Sequence, residues 1–280
     1  MNNARYARSL LFVPGDRPER FAKAASSGAD MVVIDLEDAV APGHKAQALS
    51  NTLTWLKSGG SAVIRVNATD TPWHRSEVDE LAATGAVLML PKAEERDVVT
   101  ELHHRLSGER VIALIETARG LRRAEEVCAA PGVIRAALGT IDLGAELGVD
   151  PAAHGPLSYA RSRLVIASAA AGLPPPIDGV TAVLGAQDVL MADVELARGL
   201  GFGGKLCIHP TQVRCVNSGL GPSESEVEWA LKVTAAANSD SGVVVVDESM
   251  VDPPVVRRAE RILQITRVLS MQSDNAAAGS

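Results

Sequence analysis

Charged side chains follow the short apolar runs of this sequence at a regular position, just where each run ends. The set comprises Asp35, Glu37, Asp38, Arg65, Lys92, Glu116 and Asp142. Apolar runs of this kind are typical of buried strands, and a charge beside a buried strand needs a partner, a metal ion or a substrate. The set therefore predicts a polar site built at the ends of several strands.

Two of these acids, Glu116 and Asp142, follow the fifth and sixth apolar runs. Two carboxylates from neighbouring strands, completed by water and substrate oxygens, suit an octahedral Mg²⁺ ion. The sequence has neither a His-x-x-x-His pair nor a cysteine cluster of the kind that binds zinc. The alternative is that each acid only caps the helix that follows it. We expect Glu116 and Asp142 to bind Mg²⁺.

Arg65 follows Val63 and Ile64 in the third apolar run, where strand alternation would direct its side chain to the mouth of a barrel. A fixed guanidinium there can hold an enolate or carboxylate oxygen. The alternative is a salt bridge to Asp35 or Glu37 that only closes the top of the barrel. Because Asp35, Glu37 and Asp38 are like charges close together, they need cations, and we expect some of them to orient Arg65 and Lys92 and at least one to cap the next helix. Lys92 could instead touch substrate.

A basic turn follows the first apolar run and contains Arg17, Arg20 and Lys23. Pro18 favours the start of a helix here, and a helix start with nearby cations attracts the phosphates of a nucleotide-bearing ligand. The alternative is an ordinary charged helix face in contact with solvent.

Strands alternating with helices must position these residues. Helical patterns cover 18–27, 43–58, 73–83, 94–106, 118–128, 157–171 and 187–200, between apolar runs at 9–14, 31–36, 62–67, 86–92, 111–116, 133–139, 176–182 and 204–210. Eight such units predict a closed (β/α)₈ TIM barrel with its chemistry at the carboxyl ends of the strands. The rival, an open doubly wound sheet, would place a glycine fingerprint after the first strand, and residues 14–18 do not match one.

The pattern changes after Pro210, so we divide the chain into three parts. Residues 1–220 are the expected catalytic barrel, 221–270 a C-terminal arm or lid, and 271–280 a disordered tail. Ser223 and Glu226 form a capping box that opens a helix over 222–238, and a second helix is expected at about 255–269. Such an arm either caps the barrel or reaches a neighbouring subunit.

Composition excludes several classes of protein. The 280 residues include 27 basic and 34 acidic side chains, a net charge of −7, which argues against a nucleic-acid binder. No apolar run approaches the roughly 18 residues of a membrane span. Three cysteines, Cys128, Cys207 and Cys215, form neither a disulfide framework nor a zinc motif, so we expect a cytoplasmic protein.

Several of these residues lie in motifs that resemble the citrate lyase beta-subunit-like group of the HpcH/HpaI aldolase/citrate lyase family. The motifs, over about residues 8–269, are LFVPG (11–15), DLEDAV (35–40), RVN (65–67), PKAE (91–94), IET (115–117), GK (204–205) and IHP (208–210). The resemblance implies a TIM barrel, Mg²⁺, and cleavage or formation of a carbon–carbon bond next to a thioester. Members of the group act on malyl-CoA, citramalyl-CoA or citryl thioesters.

The resemblance also implies roles for particular positions. Glu116 and Asp142 correspond to metal ligands, and Arg65 to the arginine that contacts the thioester enolate or keto acid. The residues that fall where relatives contact the CoA ligand are Phe12, Lys23, Ile177 and Asp178.

The motif at 250–254, MVDPP, resembles a C-terminal motif whose aspartate reaches the active site of an adjacent subunit. Asp252 would be that aspartate, and the protein would be a homo-oligomer, a trimer or a multiple of one. The alternative is that Asp252 caps the final helix, with Pro254 in its first turn.

One position departs from the family pattern: Ile141 stands where many relatives have glutamate. We expect a Mg²⁺-dependent lyase that splits a 3-hydroxyacyl-CoA into acetyl-CoA and a 2-oxo acid, pyruvate or glyoxylate. Two alternatives stay open. One is a metal-dependent aldolase acting on free hydroxy-oxo-acids, and the other is a non-catalytic subunit that holds an acyl carrier. The basic turn and the Asp252 arm favour the CoA substrate.

Overall fold

The computed structural model describes residues 3–237, 245–247 and 249–278. Eight parallel strands form a closed barrel in chain order, with the last strand paired to the first. The strands are β1 (Ser9–Pro14), β2 (Met31–Asp35), β3 (Val63–Arg65), β4 (Val87–Leu90), β5 (Val111–Ile115), β6 (Val133–Leu138), β7 (Ile177–Asp178) and β8 (Gly204–Cys207). The predicted TIM-like barrel is confirmed, with strands shorter than the apolar runs.

Alternation along the strands divides the apolar side chains between two layers. Val33, Val63 and Ile112 belong to the cluster inside the barrel. Their strand neighbours Ile34 and Ile64 belong to the larger cluster that also contains helix residues. Because both faces of each strand are buried, the strands consist of nearly continuous Val, Ile, Leu and Ala.

Ten helices accompany the barrel within the described residues up to Leu220. They are α1 (Phe21–Ala25), α2 (Lys45–Lys57), α3 (His74–Ala82), α4 (Arg96–Leu106), α5 (Ala118–Arg122), α6 (Ala124–Cys128), α7 (Thr140–Leu147), α8 (Ser158–Ala170), α9 (Gln187–Leu200) and α10 (Pro210–Leu220).

Several helices differ from the sequence prediction, and the last helix, Pro253–Ala278, extends through most of the segment expected to be a disordered tail. The first predicted helix begins as a 3₁₀ turn, Pro18–Arg20, before α1. The helix predicted over 118–128 is interrupted at Arg123. The sequence pattern does not predict α10, because we assign Pro210 to the end of a strand, whereas it is the first residue of this helix.

A buried arginine ties β6 to the start of the chain. The Arg135 guanidinium donates hydrogen bonds to the carbonyl oxygens of Pro175, Ala4 and Ala7 at 2.8, 3.2 and 2.6 Å. Burial lowers the pKa of Arg135 to about 9. Three carbonyl oxygens satisfy a guanidinium that has almost no contact with water, so this side chain plugs the barrel interior and needs no carboxylate to do so.

The chain forms two compact units, Met1–Leu220 and Gly221–Ser280. The second contains α11 (Glu224–Ala237), the antiparallel pair β9 (Val245–Val246) and β10 (Ser249–Met250), and α12 (Pro253–Ala278). The capping box is present: the Ser223 hydroxyl accepts the Glu226 N–H at 3.2 Å, and Glu226 Oε2 accepts the Ser223 N–H at 2.8 Å. No helix within the described ranges is long and apolar enough to cross a membrane.

Candidate active site

A cavity of about 370 Å³ opens at the carboxyl ends of the barrel strands. Its charged lining consists of Asp35, Asp38, Arg65, Glu116 and Asp142. The apolar lining includes Phe12, Leu114, Leu138, Ile141, Val180, Leu206 and Ile208. The structure thus brings together most of the charged residues that the sequence analysis selects, in one pocket with an apolar wall.

Arg65 is the most tightly held of these groups. Its Nε and Nη2 atoms each donate a 2.7 Å hydrogen bond to Asp35, the residue opposite it on β2. Nη1 lies 3.3 Å from Glu37 Oε2 and 3.4 Å from Asp38 Oδ2. Burial acts to lower the pKa of Arg65, but the hydrogen bonds and charge of Asp35, helped by Glu37 and Asp38, outweigh it and raise the pKa. The guanidinium is permanently charged and oriented.

Phe12 on β1 supports the same guanidinium from one face. The Arg65 Cζ atom lies 4.9 Å from the centroid of the Phe12 ring. A cation over an aromatic face is attracted by the ring quadrupole, and the contact fixes the plane of the guanidinium. Phe12 lines the cavity and also orients Arg65, while its contact with a CoA ligand stays a prediction.

Glu116 follows β5 and is almost completely buried. Its Oε1 atom accepts the backbone N–H of Lys92 at 2.9 Å, and no described residue donates a hydrogen bond to Oε2. Burial, followed by the negative charge of Glu37, raises the pKa of Glu116 to about 8, and Asp142 adds to this shift. A cation at this point would relieve the repulsion between these acids.

Gly139 provides the space for the Glu116 carboxylate. A Cβ atom built on Gly139 would lie 2.6 Å from Glu116 Oε2, closer than any real Cβ contact. The next residues begin α7, whose first internal hydrogen bond joins the Leu143 N–H to the Gly139 carbonyl oxygen. The N–H groups before that bond have no partner in the helix, and such groups attract anions.

The geometry contradicts the capping alternative for both acids. Thr117 caps α5, since its hydroxyl accepts the Gly120 N–H at 3.0 Å. Helix α7 begins at Thr140 after Gly139, which has no side chain to cap it, and within the described residues no hydrogen bond engages the Asp142 carboxylate. Neither acid caps a helix: Glu116 directly follows β5, Asp142 lies in the first turn of the helix after β6, and both line one cavity. They fit a Mg²⁺ ion that takes its other ligands from water and substrate. In the described part of the chain, no cluster of three or more His, Cys, Asp or Glu residues could hold a metal.

Lys92 lies between Glu37, which is beside Arg65, and the candidate metal ligand Glu116. Its Nζ atom is 3.3 Å from Glu37 Oε1, while its N–H binds Glu116. Burial, opposed by the charges of Arg65 and Lys92 and helped by those of Asp38 and Asp35, raises the pKa of Glu37 to about 7. The prediction that Asp35, Glu37 and Asp38 orient Arg65 and Lys92 agrees with these contacts.

The residues predicted to contact CoA differ in their exposure to solvent. Lys23 lies exposed on α1, and Arg17 and Arg20 are exposed beside Asp16 and Glu19 at 4.0 and 3.9 Å. These cations are available to a ligand phosphate.

Ile177 and Asp178 are different, because the structure does not bring their side chains to the cavity surface. Both have 0% exposure. The Asp178 carboxylate accepts the Arg161 Nε–H at 2.9 Å and lies 3.5 Å from Lys205 Nζ. The side chains of β7 therefore cannot touch a ligand in this arrangement, and Asp178 instead neutralises two buried cations.

Sequence reasoning misses a buried group that supports the loop after β2. The Lys45 Nζ atom donates to the carbonyl oxygens of Leu36 and Glu37, each at 2.7 Å, and Asn67 Nδ2 donates to Leu36 O at 2.8 Å. Glu77 in turn accepts the Asn67 N–H at 2.8 Å. Only Asn67 could have been found, because it belongs to the RVN motif.

Asp252 lies in the second unit, Gly221–Ser280. Its Oδ1 atom accepts the Val255 N–H at 3.0 Å in the first turn of α12. This is the capping geometry that the sequence analysis gives as the alternative. A role for Asp252 in a neighbouring subunit's site stays a prediction.

The barrel and the acid-lined cavity at its mouth define a TIM-barrel protein with a candidate metal site, and comparison with known proteins gives the family. Residues 8–210 match the family described as HpcH/HpaI aldolase/citrate lyase. A citrate lyase subunit beta-like protein of Mycobacterium tuberculosis is 37% identical over 261 residues, covering 91% of this chain and 93% of that protein. The chain therefore belongs to the HpcH/HpaI aldolase/citrate lyase family.

Two further relatives show the range of the family. A (3S)-malyl-CoA thioesterase of Cereibacter sphaeroides is 34% identical over 258 residues, covering 88% of this chain and 89% of that protein. The crystal structure of CitE from Mycobacterium tuberculosis, in complex with magnesium, acetoacetate and coenzyme A, matches with a TM-score of 0.77 and 35% identity, covering 93% of this chain and 98% of that one.

Proposed function

We propose that this protein is a Mg²⁺-dependent carbon–carbon lyase that cleaves or forms a 3-hydroxyacyl-CoA such as citramalyl-CoA or malyl-CoA. The products of cleavage are acetyl-CoA and a 2-oxo acid, pyruvate or glyoxylate. The observation that carries the proposal is a permanently charged Arg65, fixed by Asp35, in the same cavity as Glu116 and Asp142, two acids that cap no helix. The CitE structure, which contains magnesium and coenzyme A together, supports it.

Glu116 and Asp142 would hold the metal ion. When bound, Mg²⁺ supplies a Lewis acid for the hydroxyl oxygen that becomes the ketone. The Lys92 N–H occupies Glu116 Oε1, which leaves Oε2 as the free oxygen of this carboxylate. The unpaired N–H groups at the start of α7 suit the carboxylate of the 2-oxo acid, because the helix N-terminus favours negative charge.

Arg65 stabilises the other fragment. Cleavage transfers the hydroxyl proton to water, converts the hydroxyl carbon into the ketone, breaks the carbon–carbon bond and leaves the electron pair of that bond on the thioester fragment as an enolate. Nε and Nη2 donate short hydrogen bonds to Asp35, whereas Nη1 makes only the longer contacts of 3.3 and 3.4 Å to Glu37 and Asp38, so we assign Nη1 to the substrate oxygen. A preorganised donor of this kind stabilises the enolate oxygen without having to reorganise during the reaction.

The enolate carbon must then take up a proton. We assign this step to Asp252 of an adjacent subunit, which would remove the same proton in the condensation direction. The assignment requires a homo-oligomer, a trimer or a multiple of one, in which each arm completes a neighbour's site. Lys23 and the exposed turn around it would bind the phosphates of the CoA portion.

The test is to incubate the purified protein with Mg²⁺ and malyl-, citramalyl- or citryl-CoA and to follow release of the 2-oxo acid. We expect turnover of at least one thioester, abolished by a chelator and by Glu116→Ala or Asp142→Ala. Turnover only of the free hydroxy-oxo-acids would make the protein a metal aldolase without CoA. No turnover of any substrate by the isolated, Mg²⁺-loaded protein would refute the lyase and favour a non-catalytic subunit.

A further inference from the structure

Lys92 has a backbone conformation that its residue type disfavours. Its φ angle is +48°, and within the described residues only Ser107 and Asp247 share a positive φ among non-glycine residues. Ser107 ends helix α4 and Asp247 forms the turn between β9 and β10, which are ordinary places for this conformation. Lys92 instead follows β4 at the mouth of the barrel, where a strained residue points to a function.

The left-handed turn lets one residue contact two carboxylates from different strands. Its N–H donates to Glu116 Oε1 at 2.9 Å, and its Nζ lies 3.3 Å from Glu37 Oε1. Glu37 follows β2 and Glu116 follows β5, and the charge of Glu37 acts on Glu116 unfavourably. Glycine would adopt this turn more easily but could not supply the ammonium group.

We propose that Lys92 is a positioning residue with two separable parts. The backbone N–H occupies one oxygen of Glu116, turns the other oxygen toward Gly139 and Asp142, and so presets the carboxylate for the metal. The ammonium group neutralises Glu37, which leaves Glu37 in place beside Nη1 of Arg65. The proposal rests on the proposed function only where it refers to Mg²⁺ and turnover, and the position of Glu116 can be tested without either.

Four variants separate the two parts. Lys92→Gly and Lys92→Met keep the N–H but remove the ammonium. Lys92→Arg keeps a positive charge. Lys92→Val puts a β-branched side chain into a left-handed turn, which such residues avoid, and so displaces the N–H. Ser107→Val is the matched control, because it puts the same side chain into another left-handed position, at φ +53°.

The first measurement is Mg²⁺ binding by titration calorimetry without substrate. We expect dissociation constants within about threefold of wild type for the Gly and Met variants and for Ser107→Val. Lys92→Val should bind Mg²⁺ roughly 10- to 100-fold more weakly, the usual effect of losing a group that orients a metal ligand. Equal losses in Lys92→Gly and Lys92→Val, or no loss in Lys92→Val, would overturn the role of the N–H.

The second measurement is turnover at saturating Mg²⁺. We expect kcat to fall about tenfold in Lys92→Met with little change in KM, and Lys92→Arg to stay within about threefold of wild type. Lys232→Met, which removes the exposed ion pair to Glu228 at 3.1 Å, is the control and should leave kcat unchanged. Wild-type kcat in Lys92→Met would overturn the role of the ammonium.

Crystal structures of Lys92→Gly and Lys92→Val give a readout that needs neither metal nor substrate. The Glu116 carboxylate should keep its place in the Gly variant and rotate away from Gly139 in the Val variant. An unmoved Glu116 in Lys92→Val would refute the proposal even if the protein is a lyase. Failure of the wild type to bind Mg²⁺, with the expected rotation seen, would refute the proposed function alone. Should Lys92→Val not fold, a displaced Glu116 in Lys92→Gly would refute the proposal by itself.

Discussion

Asp35→Asn tests whether a buried bidentate pair holds Arg65. Each Asp35 oxygen accepts one hydrogen bond from Arg65 and one from the backbone, Oδ1 from the Glu37 N–H at 2.9 Å and Oδ2 from the Ala39 N–H at 3.0 Å. Asparagine replaces one of these oxygens by an NH₂ group. Whichever way the amide is turned, its NH₂ group cannot accept, so one hydrogen bond from Arg65 and one from the backbone are lost. The Arg65 N–H and the backbone N–H that made those bonds then both point at the NH₂ group, which is itself a donor.

The magnitude follows from burial. Asp35 is 1% exposed, and breaking a buried ion pair by removing one partner costs about 3–5 kcal/mol. Because Glu37 and Asp38 still attract Arg65, we take the lower end, about 3 kcal/mol. In a unit of the size of Met1–Leu220, 1 kcal/mol shifts Tm by about 2–4 °C, so Tm should fall by about 6–12 °C.

The assay is thermal unfolding of the metal-free protein followed by circular dichroism. Asp38→Asn is the matched control, because the Asp38 side chain is 61% exposed and lies 3.4 Å from Arg65. An exposed pair contributes less than about 1 kcal/mol, so Tm of this variant should fall by less than about 4 °C. If Asp35→Asn unfolds within about 3 °C of wild type, or no lower than Asp38→Asn, the argument for a buried clamp on Arg65 is wrong.

Three further predictions concern the same residues. Arg65→Lys keeps the charge but loses the planar fork, so kcat should fall about 10²-fold or more in steady-state assays; a loss of only a few-fold would make Arg65 structural. The pKa of Glu37 is raised from 4.5 to about 7. The contribution of Glu37 to the unfolding free energy is therefore fully present below pH 4.5 and is lost as pH rises through 7. As pH rises from 5 to 8, the metal-free Glu37→Gln variant should therefore become more stable relative to wild type, by up to about 3 kcal/mol in unfolding free energy, which thermal unfolding would show as a growing difference in Tm. A difference in Tm that does not change with pH would contradict this. Asp252→Ala and Arg65→Ala, each inactive alone, should recover part of the activity when refolded together, and proven subunit mixing without recovery would place Asp252 in its helix cap only.

The polar ring at the barrel mouth could be predicted from sequence because strand ends are visible as the ends of apolar runs. Arg65 and Glu116 both follow such runs, and parallel strands place their ends at one face. The choice between metal binding and helix capping could not be made in advance. It depends on whether another residue caps the helix, and Thr117 does so for α5.

The remaining errors have local physical causes. Lys45 and Asn67 donate to main-chain oxygens, whose direction depends on the loop after β2 and not on any side-chain pattern. An aspartate at the position of Asp178 could contact a ligand, but Arg161 and Lys205 are buried beside it and form ion pairs with its carboxylate. The left-handed turn at Lys92 is equally hidden, since lysine gives no sequence sign of a positive φ.

The hydrogen bonds of Arg135 have a consequence for synthesis of the chain. The Ala4 and Ala7 carbonyl oxygens accept from the Arg135 guanidinium, so they wait for a donor that lies 131 and 128 residues later in the chain. At about 5–20 residues per second, making these residues takes roughly 6 to 26 seconds. Until Gly204–Cys207 emerge as well, β1 is an open edge able to pair with other chains. We expect the nascent barrel to be most prone to aggregation, and most dependent on chaperones, in this interval before its last strand is made.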